Sequence, residues 1–211
     1  MRKVSLKLFG ILSCLMILAT LSIFGQDARI NKKPLQDCAD DLNQKLEKGE
    51  VDLSKPFSVT LESYLTKEGK FDIKRSRFTK SEGDRQMVEV VKQAIEAVSD
   101  SGMLSYLQQF GIEKVIVNLS QDDKNVAAVI TSELPTVEKA KTIASSFNAL
   151  FQMAKINVKE ETEKTLLNAT KASSQDKNFI INFTMPKEEA QQLLKNELQK
   201  AKEKSYSNKV N

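Results

Sequence analysis

The densest cluster of chemically active side chains lies between residues 67 and 80. Six cations stand there against two carboxylates, Glu68 and Asp72, which gives this segment a net charge of +4. The cations are Lys67, Lys70, Lys74, Arg75, Arg77 and Lys80. A basic hairpin of this kind can bind an acidic protein, lipid headgroups or an anionic envelope polymer. Alternatively, the charges protect an exposed edge strand from aggregation, and that role needs no ligand.

Catalytic chemistry is restricted because the sequence contains no histidine. Ser-His-Asp and Cys-His nucleophiles and His-ligated zinc all require that side chain. A pair of carboxylates could still act as acid and base. However, the Asp and Glu residues lie mostly in segments that we predict as helix surfaces and turns. We therefore predict that the protein is not an enzyme and holds no metal or cofactor.

Two other motifs could carry chemistry in an oxidising or glycosylating compartment. The sequence has two cysteines, Cys14 in the apolar N-terminal run and Cys38 beyond it. Cys38 could pair between two chains, or it could be a partly buried free thiol. Asn-x-Ser/Thr sequons begin at Asn118, Asn168 and Asn182. Two of the three fall in predicted strands, which suits glycosylation poorly.

The N-terminal segment predicts export from the cytoplasm. Residues 8–25 form 18 consecutive uncharged, mostly apolar positions directly after a short basic stretch. That order is typical of an export signal. The apolar run lies between the length of a cleavable signal and that of a spanning helix. Residues 1–26 are therefore either a signal peptide or an N-terminal anchor. We expect a periplasmic or secreted protein, or one held at the inner membrane by residues 8–25.

The remainder of the chain is nearly neutral. Removing residues 1–26 leaves 29 Lys and Arg residues against 28 Asp and Glu residues. This balance gives no general argument for a nucleic-acid partner. The remaining length is enough for a domain with a real core. We predict a linker over residues 27–34, a single α+β domain over 35–204 and a frayed tail over 205–211.

Apolar residues that recur every three or four positions predict a series of helices. The predicted helices run over residues 35–46, 84–98, 103–110, 136–154 and 160–169, and a last one follows Pro186. Asp84 is expected to cap the second of these helices. The last helix presents a stripe formed by Ala190, Leu193, Leu194, Leu198 and Ala201.

Alternating apolar and polar residues predict the strands. These cover residues 57–65, 71–78, 115–119, 126–130 and 179–185. In the second strand the alternation breaks, which indicates a bulge near Arg75 or an edge strand with one loose face. The fourth is apolar on both faces, as expected of a covered central strand or a strand of small side chains. Residues 81–84 are predicted as a break and 173–177 as a loop.

The order of these elements predicts the fold class. A hairpin followed by a helix occurs over residues 57–98 and again over 112–156, and a final strand and helix follow. We therefore expect an α+β fold. Its antiparallel-rich sheet would have about five strands, with helices packed mainly on one face.

Residues 57–98 resemble the TonB C-terminal domain family. The resemblance is carried by Phe57-Ser-Val-Thr-Leu-Glu, by Lys67-Glu-Gly-Lys-Phe-Asp and by Lys80-Ser-Glu-Gly-Asp before an apolar helix. It implies a strand, a glycine turn, a strand and a helix. Domains of that family are anchored in Gram-negative envelopes by an N-terminal helix and contact outer-membrane receptors or other envelope proteins. The resemblance assigns no functional residue.

These observations predict a non-enzymatic exported envelope protein that binds another envelope protein or a peptide, for example along an exposed sheet edge. We expect no nucleic-acid partner, and membrane contact only through an uncleaved N-terminal segment. The alternative is a carrier of an apolar small molecule or lipid in a cavity between sheet and helices. Such a cavity could be lined by Phe147, Phe151, Phe179 and Phe183. The same four side chains could equally form an ordinary core.

Overall fold

The computed structural model describes residues 31–196. The predicted targeting segment 1–26, which includes Cys14, and the predicted tail 205–211 lie outside the described residues. So do Leu198 and Ala201 of the last helical stripe. Within residues 31–196, no helix combines the length and the hydropathy that crossing a bilayer requires.

The strands form an antiparallel sheet. They are β1 (Phe57–Tyr64), β2 (Arg77–Gly83), β3 (Lys114–Gln121), β4 (Asn125–Glu133), β5 (Thr170–Gln175) and β6 (Asn178–Pro186). Their order in the sheet is β2-β1-β3-β4-β6-β5, and every neighbouring pair is antiparallel. The predicted α+β class is confirmed. The sheet has six strands rather than about five.

The two long helices of the core begin at capping side chains, Asp84 and Thr136. The helices are α1 (Lys33–Glu47), α2 (Arg85–Ser101), α3 (Ser105–Gln109), α4 (Val137–Asn157), α5 (Glu161–Asn168) and α6, described over residues 187–196. The Asp84 carboxylate accepts a hydrogen bond from the Met87 N–H at 3.0 Å, which confirms the predicted cap. Gly102 follows α2 in the left-handed conformation and ends it.

One face of the sheet carries the core. Burial alternates along β1, β3, β4 and β6, and the buried residues of neighbouring strands are in register. Helix α2 packs beside β1 and β2, whereas α4 packs beside β5 and β6. On the other face the side chains are half-buried or exposed. In β4, Ala127 and Val129 lie on that second face, so β4 is a strand of small side chains and is not covered on both sides.

The prediction of a strand over residues 71–78 is wrong. Phe71 forms only an isolated bridge with Leu65, and residues 73–75 form a 3-10 helix. The Asp72 carboxylate caps that turn by accepting from the Lys74 N–H at 3.0 Å. Strand β2 begins at Arg77 and runs through most of the segment 81–84, which was predicted as a break. The register with β1 shifts at Thr79, so the bulge lies there rather than near Arg75. Strand β2 is an edge strand, as the other alternative predicted.

The prediction of a loop over residues 173–177 is also wrong. Residues up to Gln175 belong to β5, and the chain turns at Asp176, whose φ is 51°. Asp tolerates this left-handed conformation better than most residues. Strands β5 and β6 therefore form a third hairpin, and α6 follows it. The hairpin–helix unit that the sequence predicts twice occurs three times.

Four phenylalanines form the centre of the core between α4 and β6. Each is at most 1% exposed, and they are Phe147, Phe151, Phe179 and Phe183. The Phe147 ring centroid lies 5.1 Å from that of Phe179 and 6.1 Å from that of Phe151. It also lies 5.0 Å from the ring of Phe110. These separations are typical of aromatic rings in direct contact.

Candidate binding surface at the edge of the sheet

The six predicted basic residues divide into two groups. Three of them are in ion pairs with N–O distances of 2.7 to 3.1 Å, namely Arg75–Asp72, Arg77–Glu62 and Lys80–Glu82. The other three, Lys67, Lys70 and Lys74, are exposed. Among residues 31–196, no carboxylate lies within ion-pair distance of these three lysines. Half of the basic residues thus have an intramolecular carboxylate partner, which weakens the local positive field.

The paired arginines belong to a network on the open face of the sheet. Glu62 of β1 accepts hydrogen bonds from Lys114 Nζ at 2.6 Å and Arg77 Nη2 at 3.1 Å. These two cations hold the pKa of the Glu62 carboxyl below its ordinary value, so it stays ionised. The neighbouring Tyr64 ring has the Arg75 guanidinium 4.4 Å from its centroid. The network fixes where these cations stand but leaves them exposed to solvent.

The β5 edge of the sheet is covered by a side chain. Asn148 of α4 donates from Nδ2 to the Ala172 carbonyl oxygen at 2.8 Å. Its Oδ1 accepts the Ala172 N–H at 2.9 Å. This amide thus makes the two hydrogen bonds that a neighbouring strand would otherwise make to Ala172. The outer edge of β5 is therefore already occupied at its centre.

The opposite edge, at β2, is open. The Asp84 N–H donates to the Pro56 carbonyl at 3.0 Å. In an antiparallel pair, every second residue directs its N–H and C=O to the same neighbouring strand. The backbone groups of Glu82 and Lys80, two and four residues before Asp84, therefore face β1 as well. The N–H and C=O of Ser81 consequently point away from β1. In the part of the chain that the structure describes, no strand pairs with this side of β2.

A pocket of about 550 Å³ opens beside this edge, between α2 and the segment that leads into β2. Leu61, Phe71 and Phe78 form its apolar floor. The Ser99 hydroxyl accepts the Phe71 N–H at 2.8 Å, which fastens the segment to α2. Ile73 also lines the pocket and is 91% exposed. Such exposure of a large apolar side chain is typical of a surface that contacts a partner when other apolar groups surround it.

The rim of the pocket carries both signs of charge. Lys70 lies on the side of the segment that leads into β2, while Glu96 and Asp100 extend from α2. The Arg77 side chain is instead paired with Glu62 on the open face of the sheet. An acidic side chain entering from solvent would meet the two α2 carboxylates. The pocket therefore suits an apolar group better than an anionic one.

Cys38 is a half-buried free thiol on α1. Burial is the main cause that raises its pKa to about 11, and the nearby Asp41 carboxylate adds to the effect. At neutral pH the thiol is therefore protonated and a poor nucleophile. The partial burial agrees with one of the two alternatives predicted for Cys38, and pairing between two chains stays a prediction.

Two observations concern acid–base and metal chemistry in residues 31–196. The buried polar side chains in this part of the chain are all neutral, namely Ser63, Ser99, Ser101, Gln121, Ser132 and Thr170. No cluster of three or more Cys, Asp or Glu residues with metal-binding geometry is found in residues 31–196.

The sequons lie largely on the sheet. Asn118 and Asn182 stand on β3 and β6, as predicted, and both side chains lie on the open face. Asn118 Nδ2 donates to Thr60 Oγ1 at 2.9 Å, so its amide is already used within the sheet. Asn168 is exposed at the end of α5.

Sequence reasoning missed the residues that distinguish the two sheet edges. Asn148 interrupts the apolar stripe of α4 at the position four residues after Ala144, and this polar interruption was the available signal. Phe71 and Phe78 were interpreted as members of one strand, so their shared pocket was not expected.

Comparison of the chain with protein-family models, curated proteins and solved structures finds no match. The resemblance of residues 57–98 to the TonB C-terminal domain family therefore stays a prediction.

We expect Asn148→Ala to lower the free energy of unfolding by about 1–3 kcal/mol, because it leaves the Ala172 N–H and C=O without partners. Urea denaturation measures this loss. Asn157→Ala is the matched control, because Asn157 Nδ2 donates only to Met153 of its own helix and is exposed. We expect the control to change stability by less than about 0.5 kcal/mol. Equal effects of the two variants would show that Asn148 does not cover the edge.

Proposed function

We propose that the protein is a non-enzymatic module of the cell envelope that binds an extended segment of another protein along the β2 edge. The contrast between the two sheet edges carries this proposal. Asn148 occupies the β5 edge, whereas the backbone of Ser81 on β2 faces solvent beside an apolar pocket. Peptide-binding domains that add a strand to a sheet use this combination of free backbone groups and adjacent side-chain pockets.

The charges and the bulge of β2 are compatible with this role. Arg77 and Lys80 on the strand and the register shift at Thr79 oppose pairing between two copies of β2. Cations at an edge do not repel a segment that carries carboxylates. The same features therefore limit self-association while leaving the edge available to a partner of opposite charge.

The assignment to the envelope rests on the basic and apolar N-terminal segment. Residues 8–25 favour export, with or without retention of the segment as an anchor. The partner would then be an envelope protein or an exported peptide. The resemblance of residues 57–98 to TonB C-terminal domains agrees with such a location.

The packing of the core favours a binding module over a carrier. A carrier needs open space among Phe147, Phe151, Phe179 and Phe183. All four side chains are buried, and the Phe147 ring contacts those of Phe151 and Phe179. The pocket beside β2 is lined by other residues and opens at the surface.

The test uses the full chain as the target for selection from a random peptide library. The affinity of the selected peptides is then measured by fluorescence anisotropy for the wild type and for Ser81→Pro. Proline removes the outward N–H of Ser81 without removing a β1–β2 hydrogen bond. We expect about two- to tenfold weaker binding, because a hydrogen bond contributes about 0.5–1.5 kcal/mol and about 1.4 kcal/mol is tenfold in affinity.

Glu161→Pro is the matched control. Glu161 is the first residue of α5, where proline is tolerated, and α5 packs against α4 and β5 rather than β2. The control should bind the selected peptides as the wild type does. Failure to select any peptide, or peptides that bind Ser81→Pro undiminished, would contradict the proposed function.

A further inference from the structure

We infer that the segment bound at β2 carries a large apolar side chain between two acidic residues. This inference rests on the proposed function and specifies the chemistry of the partner. It follows from the alternation of side chains along a strand and from where the bulge places two cations of β2.

The apolar position follows from the pocket. A strand added beside β2 points successive side chains to opposite faces of the sheet. Phe78 pairs with the buried Leu61 and so lies on the helix-covered face, where the pocket opens. The partner residue beside Phe78 on that face reaches the floor formed by Leu61, Phe71 and Phe78. The volume of about 550 Å³ lies within the range of small-molecule sites and accommodates a large side chain.

The acidic positions follow from the bulge at Thr79. Arg77 and Lys80 are three residues apart, so in a regular strand they would point to opposite faces. The extra residue at Thr79 changes this. Arg77 pairs with Glu62 and Lys80 with Thr60, and both cations therefore lie on the open face, on either side of Phe78. The partner residues before and after the apolar one also point to the open face, beside these cations.

The existing ion pairs of the two cations do not prevent this. The side chains of Arg77 and Lys80 are 75% and 44% exposed, and their partners are Glu62 and Glu82. Exposed pairs of this kind are weak and exchange readily with other charges. Opposite charges on neighbouring strands favour pairing. An acidic residue is required on each side of the apolar one. The same sequence therefore fits whether the bound segment runs parallel or antiparallel to β2.

Three labelled peptides of equal length test the inference by fluorescence anisotropy with the full chain. The first is Ser-Thr-Glu-Phe-Glu-Thr-Ser, the second has Lys in place of both Glu residues, and the third has Ser in place of Phe. We expect the first to bind at least tenfold more tightly than the other two. The double variant Arg77→Gln with Lys80→Gln should remove the preference between the Glu and Lys peptides.

Lys114→Gln is the matched control, because Lys114 also binds Glu62 but lies on β3, which is not an edge strand. It should keep the preference for the Glu peptide. If library peptides bind at β2 with sensitivity to Ser81→Pro but show no preference for acidic neighbours of an apolar residue, this inference fails and the proposed function stands. If no peptide binds, both fail.

Discussion

Phe147→Ala is expected to lower the free energy of unfolding by about 3–5 kcal/mol, the usual loss for a fully buried phenylalanine. The side chain is fully buried and its ring contacts Phe110, Phe151 and Phe179. It therefore joins α4 to β6 and to the residue that follows α3. Truncation removes these contacts and leaves a cavity that the surrounding strands can fill only in part. Urea denaturation monitored by circular dichroism measures the loss.

Met153→Ala provides the control on the same helix. Met153 is 55% exposed, so its truncation should change stability by less than about 0.5 kcal/mol. A loss below about 1 kcal/mol for Phe147→Ala would contradict a filled core. That result would revive the carrier alternative, in which the phenylalanines line open space.

Gly69→Ala should destabilise the protein by about 3 kcal/mol, as the sum of two effects. Gly69 has a φ of +72°, and an L-residue in that conformation costs about 1–2 kcal/mol. A Cβ at this position would also overlap the backbone N and Cα of Ser105 at the start of α3. Such overpacking costs about 1–3 kcal/mol. Neither effect can be relieved by rotating a side chain, because the obstructing atoms are backbone.

Gly49→Ala separates the two effects. Gly49 has a φ of +67°, but nothing lies within 4 Å of the position of its Cβ. We expect this variant to lose only the conformational part, about 1–2 kcal/mol. Equal losses for the two variants in urea denaturation would show that the turn at Gly69 does not press against α3. The close approach matters for the binding surface, because it fixes the turn that carries Lys70 at the rim of the pocket.

The helices and the central strands could be predicted because their burial has a regular period. Helices α2 and α4 each bury one apolar stripe and begin at a capping Asp84 or Thr136. Strands β1, β3 and β6 bury every second residue. The buried face of each helix or strand determines the spacing of its apolar residues, and that spacing can be read directly from the sequence.

The edge strands could not be predicted in the same way. In β2 every residue except Phe78 is exposed, and β5 reads Thr-Lys-Ala-Ser-Ser-Gln, so neither carries an alternating apolar signal. Phe71 and Ile73 suggested a strand by their spacing. In the structure both line the pocket, but Phe71 is half-buried and Ile73 is almost fully exposed.

The candidate surface was only partly accessible to sequence reasoning. Residue type alone identified the cations of the segment 67–80. Two of their ion pairs are local, Arg75–Asp72 and Lys80–Glu82, but that of Arg77 depends on Glu62 of the neighbouring strand. The covering of one sheet edge by Asn148 is another contact of this kind. Such contacts are set by the packing of whole elements and leave no local pattern.

The order β2-β1-β3-β4-β6-β5 also has a consequence for assembly. Strands β1 and β2, β3 and β4, and β5 and β6 form three hairpins in chain order. Each hairpin pairs with the next one along the chain, through β1 with β3 and β4 with β6. A chain that folds from its amino end can therefore add its hairpins to the sheet one after another. Strands β1 and β2 need no partner from the carboxyl-terminal hairpin. Loop closure is short within each hairpin, which favours fast folding of that unit. The β1–β3 and β4–β6 pairings form later, because each must close over an intervening helix.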